Sequence, residues 1–359
     1  MANNVSKAPA KILATGNATP PLCLEQKRAY EIIEHLYGEE LNPRSIDLIQ
    51  KILSHDSIRT RYFAADDEKE LLSFKNESPD KRIERFTKWS INLSCEAINN
   101  AISAAGISKT DIEALIVNTC TGYLCPGIST YLMEKLELNN QTKAFDLLGA
   151  GCGGALPNIE LGSSILKTCD GAVLCVAVEI CSATFQMAND PSLLISNALF
   201  GDGAASVVLS NCSSSKGAQI ISHASTFIPQ ERENVRFVYK NGELHNKLSS
   251  KLPTIIAENV APFIRDFLNS NSLSTSQIDH WAIHPGGEKI ISNLQKMLSL
   301  SNKKLTITRD ILSEYGNMSS PTVLFQLDRI LDSGVKSGDL GLLVGFGAGL
   351  SIHLMLLQW

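Results

Sequence analysis

Cys152 stands in Gly149-Ala150-Gly151-Cys152-Gly153-Gly154-Ala155, where an apolar run enters a glycine-dense turn ahead of a helix. A thiol at a helix N-terminus faces unpaired backbone N–H groups and the positive end of the helix dipole, which favours its thiolate. Flanking glycines let the backbone approach a ligand closely and supply N–H groups for an oxyanion. His284 follows the apolar Trp281-Ala282-Ile283 and precedes Pro285-Gly286-Gly287, the end of a buried strand opening into a cleft. Asn317 lies in Tyr315-Gly316-Asn317-Met318-Ser319-Ser320-Pro321, just before a helix. Each has an ordinary structural alternative: a buried cysteine beside a turn, a core histidine, a helix-capping asparagine. Together they offer a nucleophile, a base or donor, and an amide donor. The same three residue types serve cysteine proteases, so they do not choose the reaction.

The elements that must position them follow an α/β pattern of amphipathic helices and short apolar strands. Apolar residues at Phe86, Trp89, Leu93, Ala97, Ala101 and Ala105 predict a helix over Ile83 to Ala105. Further helices are expected over Ser129–Leu138, Ala155–Leu166, Thr254–Leu268 and Pro321–Leu331, and strands over Ala114–Val117, Gly171–Val178 and Ala204–Leu209. A weak internal repeat lays Asp111–Asn118 without a gap over Gln277–His284, with glycine soon after each. Phe200-Gly201-Asp202-Gly203-Ala204 likewise parallels Phe346-Gly347-Ala348-Gly349-Leu350. Two related halves are expected, 1–212 carrying the cysteine and 213–359 carrying the histidine and asparagine, with Ser213-Ser214-Ser215 as a polar linker. Strand-end loops from both halves would then meet at one site.

Composition narrows the function. Of 359 residues 44% are hydrophobic and 19% charged, enough for a large core and too few charges for a disordered chain. Lys and Arg total 32 against 37 Asp and Glu, a net charge of −5, with no block of five like charges, which argues against a nucleic-acid or anionic-membrane binder. The nine cysteines form no CxxC pair, which disfavours a disulfide scaffold or cysteine zinc site and suggests a reducing compartment. The first residues lack the apolar core of a signal peptide. Leu340–Trp359 carries no Asp, Glu, Lys or Arg, but four glycines crowd its first half. A strand, a glycine turn and a second buried strand are expected there rather than a membrane helix, and the protein is expected to be cytoplasmic.

The segments GAGCGGA, HPGG and GNMSSPT, in this order and spacing, resemble the catalytic motifs of type III polyketide synthases, the chalcone synthase-like family of thiolase fold. The resemblance covers nearly the whole chain, through Ala14–Pro20, Ile58-Arg59-Thr60-Arg61-Tyr62, Thr121-Gly122-Tyr123, Ala198–Ala204 and Gly345-Phe346-Gly347. It implies two related βαβαβ-type halves in a layered αβαβα core, and a homodimer. It also implies that an acyl group passes from coenzyme A to Cys152 and is extended by decarboxylative condensation with malonyl-CoA. His284 would partner the thiolate as an imidazolium, and His284 and Asn317 would donate to the enolate oxygen of decarboxylated malonyl-CoA. No metal or organic cofactor is implied. Phe200 resembles the aromatic gatekeeper of the coenzyme A tunnel, and Lys51 matches one of the basic residues facing the coenzyme A phosphates. Leu48 and His55 replace two others. Gly286 and Gly347 belong to the substrate-binding turns.

Departures from the plant pattern point to a bacterial-type member. Asn246 stands where a second gatekeeping phenylalanine is found, and Ala348 replaces the proline of the glycine loop. Cys125 takes the place of a residue reaching across the dimer, and Cys181 that of a cavity-lining threonine. These small residues predict a roomy cavity, a fatty acyl starter, and a pyrone or resorcinol-type product. The alternatives are a malonyl-CoA-only tetrahydroxynaphthalene-type synthase, a type III ketoacyl synthase working with an acyl carrier protein, a hydrolase, and a non-catalytic scaffold.

Overall fold

The computed structural model describes residues 8–212 and 216–359, so the proposed linker Ser213-Ser214-Ser215 lies outside the described residues. A nine-stranded sheet runs in the order His280–Ile283, Leu340–Gly347, Ser351–Gln358, Ala218–Phe227, Lys11–Ala18, Gly203–Ser210, Ala172–Glu179, Ile112–Thr119, Lys143–Leu148. Outward from Lys11–Ala18, the next two pairings are antiparallel and the one between Ala172–Glu179 and Ile112–Thr119 is parallel. Outward from Ala218–Phe227, the same senses recur in the same order. The two sets join through a short ladder, Lys11 with Gln219 and Ile12 with Ala218. The repeat expected from Asp111–Asn118 and Gln277–His284 therefore falls on topologically equivalent strands. Lys143–Leu148 alone has no counterpart.

Alternation along the strands builds the layers, because successive side chains face opposite sides. Val173, Cys175 and Ala177 share one core with Ala282, Leu343 and Met355 from the other half, around helices Ala155–Ile165 and Thr322–Asp332. Leu174, Val176 and Val178 face outward onto helix Pro79–Ala105. Leu342, Val344 and Leu354 face outward onto helices Leu252–Ser270 and Glu288–Leu298. The result is helix, sheet, helix, sheet, helix.

Several elements differ in extent from the sequence reading. Helix Pro79–Ala105 begins four residues before Ile83, because the Ser78 side chain accepts from Lys81 N and Pro79 fills the first turn. It stops at Gly106, which takes a left-handed φ of 64°. Leu340–Trp359 forms two strands, Leu340–Gly347 and Ser351–Gln358, as expected. The hairpin Val235–Lys240 and Glu243–Leu248 was not foreseen. Asn241 and Gly242, at φ 53° and 80°, form its two-residue turn, and that Asn-Gly pair was the available signal.

Candidate active site

Cys152 sits in the short 3-10 turn Gly151–Gly153, between strand Lys143–Leu148 and helix Ala155–Ile165. His284 follows strand His280–Ile283, and its N–H donates to the Val344 carbonyl at 2.8 Å. Asn317 lies between helices Thr306–Tyr315 and Thr322–Asp332. Its backbone is locked to the end of helix Pro191–Leu199 from both sides: Asn317 N donates to Leu199 O at 2.9 Å, and Gly201 N to Asn317 O at 3.0 Å. Arg61, buried from the Ile58–Tyr62 segment, fixes the same corner by donating to the Asn197 and Phe200 carbonyls at 2.7 Å each. Asp202 closes it by accepting from Ala64 N and from the Ser182 N–H and hydroxyl.

Cys152, His284, Asn317, Phe200, Cys181, Asn246, Gly286 and Gly347 all line one cavity. Lys51 does not. It is exposed in the last turn of helix Pro43–Leu53, which packs on helix Pro191–Leu199 through Ile49 and Leu53. Cys125 is exposed and also lies off the cavity wall. The part of the cavity around Cys152 measures about 70 Å³, and through Cys120, Gly151, Arg236, Phe237 and Ala348 it adjoins another of about 670 Å³. Small-molecule sites usually measure roughly 300–1,000 Å³. Phe237 and Leu248 of the hairpin, with Leu252, Ile256, Ile290 and Phe346, line the part around Cys152 beside Asn246 and Cys181.

Burial works against the expected thiolate–imidazolium pair at rest. Burial pushes the Cys152 thiol up to about 12 and the His284 imidazole down to about 3. No counter-charge offsets desolvation at His284, whose Nδ1 is buried without a partner and whose ring meets Phe346 edge-on at 5.2 Å. The partner of the sulfur is Ser319, whose hydroxyl donates to Cys152 Sγ at 3.2 Å. Asn317 Oδ1 accepts from Ser319 N at 2.8 Å, which turns the amide NH₂ into the free donor.

Behind Ser319 lies Glu179, fully buried, which the sequence reading passed over. Its carboxylate accepts from Ser320 Oγ at 2.8 Å, Thr121 Oγ1 at 2.9 Å and Cys120 N at 2.9 Å, with Thr119 and Ser319 more distant. A lone acid closing the apolar run Ala172–Val178 was the signal. In the resting protein the iodoacetamide alkylation rate of Cys152 should keep rising with pH beyond 9 without a plateau. Ser319→Ala removes a bond that lowers the thiol's pKa, so it should slow alkylation further at every pH below the midpoint. A plateau below pH 7 would show that a thiolate–imidazolium pair exists at rest.

Two glycines bring the halves into contact at the nucleophile. A Cβ on Gly347 would stand 2.5 Å from Ala150 O and 2.6 Å from Gly153 N, inside contact distance of backbone. Gly151, at φ 58°, faces Ala348 in the same way. Gly347→Ala should therefore displace the Cys152 turn, costing about 1–3 kcal/mol of stability and more activity than the stability loss explains. Thermal melts beside turnover measurements check this.

Two family models together match nearly the whole chain. Chalcone and stilbene synthases match by their N-terminal domain over residues 1–212 and by their C-terminal domain over residues 219–359. The chain belongs to the chalcone and stilbene synthase family. It is a type III polyketide synthase, an acyltransferase-type enzyme with the thiolase-like fold. Among curated relatives, the 3,5-dihydroxyphenylacetyl-CoA synthase of Streptomyces toyocaensis is 30% identical over 295 residues, covering 79% of this chain and 75% of that one. The enzyme of the same name from Amycolatopsis balhimycina is 29% identical over 284 residues, covering 77% and 76%. Two solved structures share the fold of this polyketide synthase at a TM-score of 0.89 and 24% identity. PKS-I of the brown alga Ectocarpus siliculosus covers 98% of each chain. The 1,3,6,8-tetrahydroxynaphthalene synthase of Streptomyces coelicolor A3(2) covers 97% of this chain and 99% of its own.

Proposed function

We propose that this polyketide synthase loads an acyl group from a coenzyme A thioester onto Cys152 and extends it with malonyl-CoA to a pyrone or resorcinol-type product. The convergence of Cys152, His284 and Asn317 on one cavity carries this reading. In loading, the Cys152 proton passes to His284 as the sulfur attacks the thioester carbonyl. The new S–C bond forms, the bond to coenzyme A breaks, and the departing thiolate takes the proton back. Each charge that burial disfavours alone is then balanced by the other. In extension, malonyl-CoA loses carbon dioxide and the electron pair moves into an enolate, whose oxygen accepts from Asn317 and His284. The enolate carbon attacks the acyl group and expels the Cys152 thiolate. This chemistry needs no metal or redox cofactor.

The narrow space around Cys152 favours short starters over the long acyl chain expected from sequence. It equally favours malonyl-CoA as sole building block, the second reading. The relatives' name, a dihydroxyphenyl ring still bearing coenzyme A, supports a resorcinol-type ring here. Purified enzyme should be given malonyl-CoA alone and with acyl-CoA starters from two to twelve carbons, and products resolved by mass spectrometry. Products from malonyl-CoA alone or from starters of up to about four carbons are expected. Thioester hydrolysis with no chain extension would sink both readings.

We further propose a homodimer, with Lys51 facing the coenzyme A phosphates, Cys125 near the partner's cavity, and division of the chain at 212/213. Edge strand Lys143–Leu148 is largely exposed, with Leu148 at 47%, and Tyr123 beside it is 62% exposed. An apolar exposed edge of this kind supports a second copy as its cover. Light scattering tests it. No helix among the described residues is long and apolar enough to cross a membrane. A cytoplasmic location remains the proposal.

A further inference from the structure

A larger cavity, of about 410 Å³, lies on the other side of the 3-10 turn Cys181–Thr184 from the catalytic one. Cys181 and Thr184 face the catalytic cavity, while Ser182 and the following Phe185 face this one. Its floor is apolar, built from Ile32 and Leu36 of helix Gln26–Tyr37 with Phe63 and Phe185. Its polar rim is unbalanced: Arg61, Lys75, Arg82 and Arg85 stand against Glu40 and Glu77.

Most of these cations are already engaged. Arg85 is bidentate on Glu77 at 2.8 Å and also donates to Ser182. Arg61 is consumed by Gln26, Asn197 and Phe200. Lys75 sits 2.7 Å from Glu40 and donates to the Leu36 carbonyl. Arg82 differs. Its Nη1 donates to Phe185 O, but its Nε is buried with no hydrogen-bond partner, 3.7 Å from Glu243 and 4.0 Å from Glu77. The Nε2 of Gln186, on the same wall, is also buried without a partner. Two orphaned buried donors at one apolar cavity carry a desolvation cost that an acceptor would relieve.

We propose that this cavity is a second ligand site, which takes a monocarboxylate with an apolar body, an alkyl or aryl acid. The carboxylate accepts from Arg82 and Gln186, and the body packs on Ile32, Leu36, Phe63 and Phe185. Four cations against Glu40, Glu77 and the adjacent Glu243 leave an excess of one, which suits a single negative charge and disfavours a dianion. The site stands independently of the chemistry at Cys152.

Calorimetry on the full chain with sodium decanoate tests it, with decanol as the uncharged comparison. Decanoate is expected to bind saturably, and decanol about tenfold more weakly, the value of a charge-assisted hydrogen bond. Gln186→Leu removes a donor that has no partner, so it should leave the melting temperature unchanged or raised while weakening decanoate about tenfold. Leu36→Trp should fill the cavity and abolish binding. Asn246→Trp, which crowds the catalytic cavity instead, should leave decanoate binding unchanged. Equal binding of decanoate and decanol would overturn the proposal. So would undiminished binding in both Gln186→Leu and Leu36→Trp, or loss of binding in Asn246→Trp.

Discussion

Cys152→Ala is expected to abolish acyl-enzyme formation and to cut product formation by roughly 10⁴-fold or more, the scale seen when a covalent nucleophile is removed. The fold should survive. Cys152 occupies a 3-10 turn between glycines, and alanine adopts the same backbone while losing one hydrogen bond from Ser319. Intact-protein mass spectrometry after incubation with acetyl-CoA should show one acyl adduct on the wild type and none on the variant. Peptide mapping should place that adduct on Cys152. Cys120, which also contacts Ser319, and Cys181, on the cavity wall, are the telling alternatives. An adduct on either would overturn the assignment of the nucleophile.

His284→Ala and Asn317→Ala should separate two halves of the reaction. The Asn317 amide is a donor that cannot take a proton from a thiol, and its Oδ1 is occupied by Ser319 N. Its loss should therefore slow malonyl-CoA decarboxylation by about 10²–10³-fold, as for other oxyanion donors, while Cys152 still accepts an acyl group. His284 is buried and is the base we propose, so His284→Ala should impair loading and decarboxylation together. Carbon dioxide release and acyl-adduct formation, measured separately, decide it. Asn317→Ala that decarboxylates normally but fails to load would reverse the roles. Because Ser319 N loses its acceptor in Asn317→Ala, a thermal melt must accompany the rates.

Much of this molecule was legible because its signals are local. Glycine density around Cys152 and the glycine turn after His284 marked strand-end loops, and hydrophobic alternation marked the strands that feed them. The Asn241-Gly242 turn is an equally local signal, and it closes the hairpin that supplies Phe237 and Leu248 to the cavity. Glu179 was hidden for another reason. Its donors come from 119–121 and from 319–320, about 60 and 140 residues away, and no spacing rule joins them. The second cavity is likewise assembled from helix Gln26–Tyr37, the start of helix Pro79–Ala105 and the segment 182–187.

The sequence by itself determined the fold class, the repeat of strand senses in two sets, and three residues that converge on one cavity. These depend on residue type and on periodicities of two and 3.6, which act between neighbours along the chain. Cavity size and protonation state were decided only in the tertiary structure. Both depend on what distant segments do to one point in space. Phe237, Leu252 and Phe346 converge to narrow the space around Cys152, and the same convergence removes the water that would solvate a thiolate at Cys152 or an imidazolium at His284.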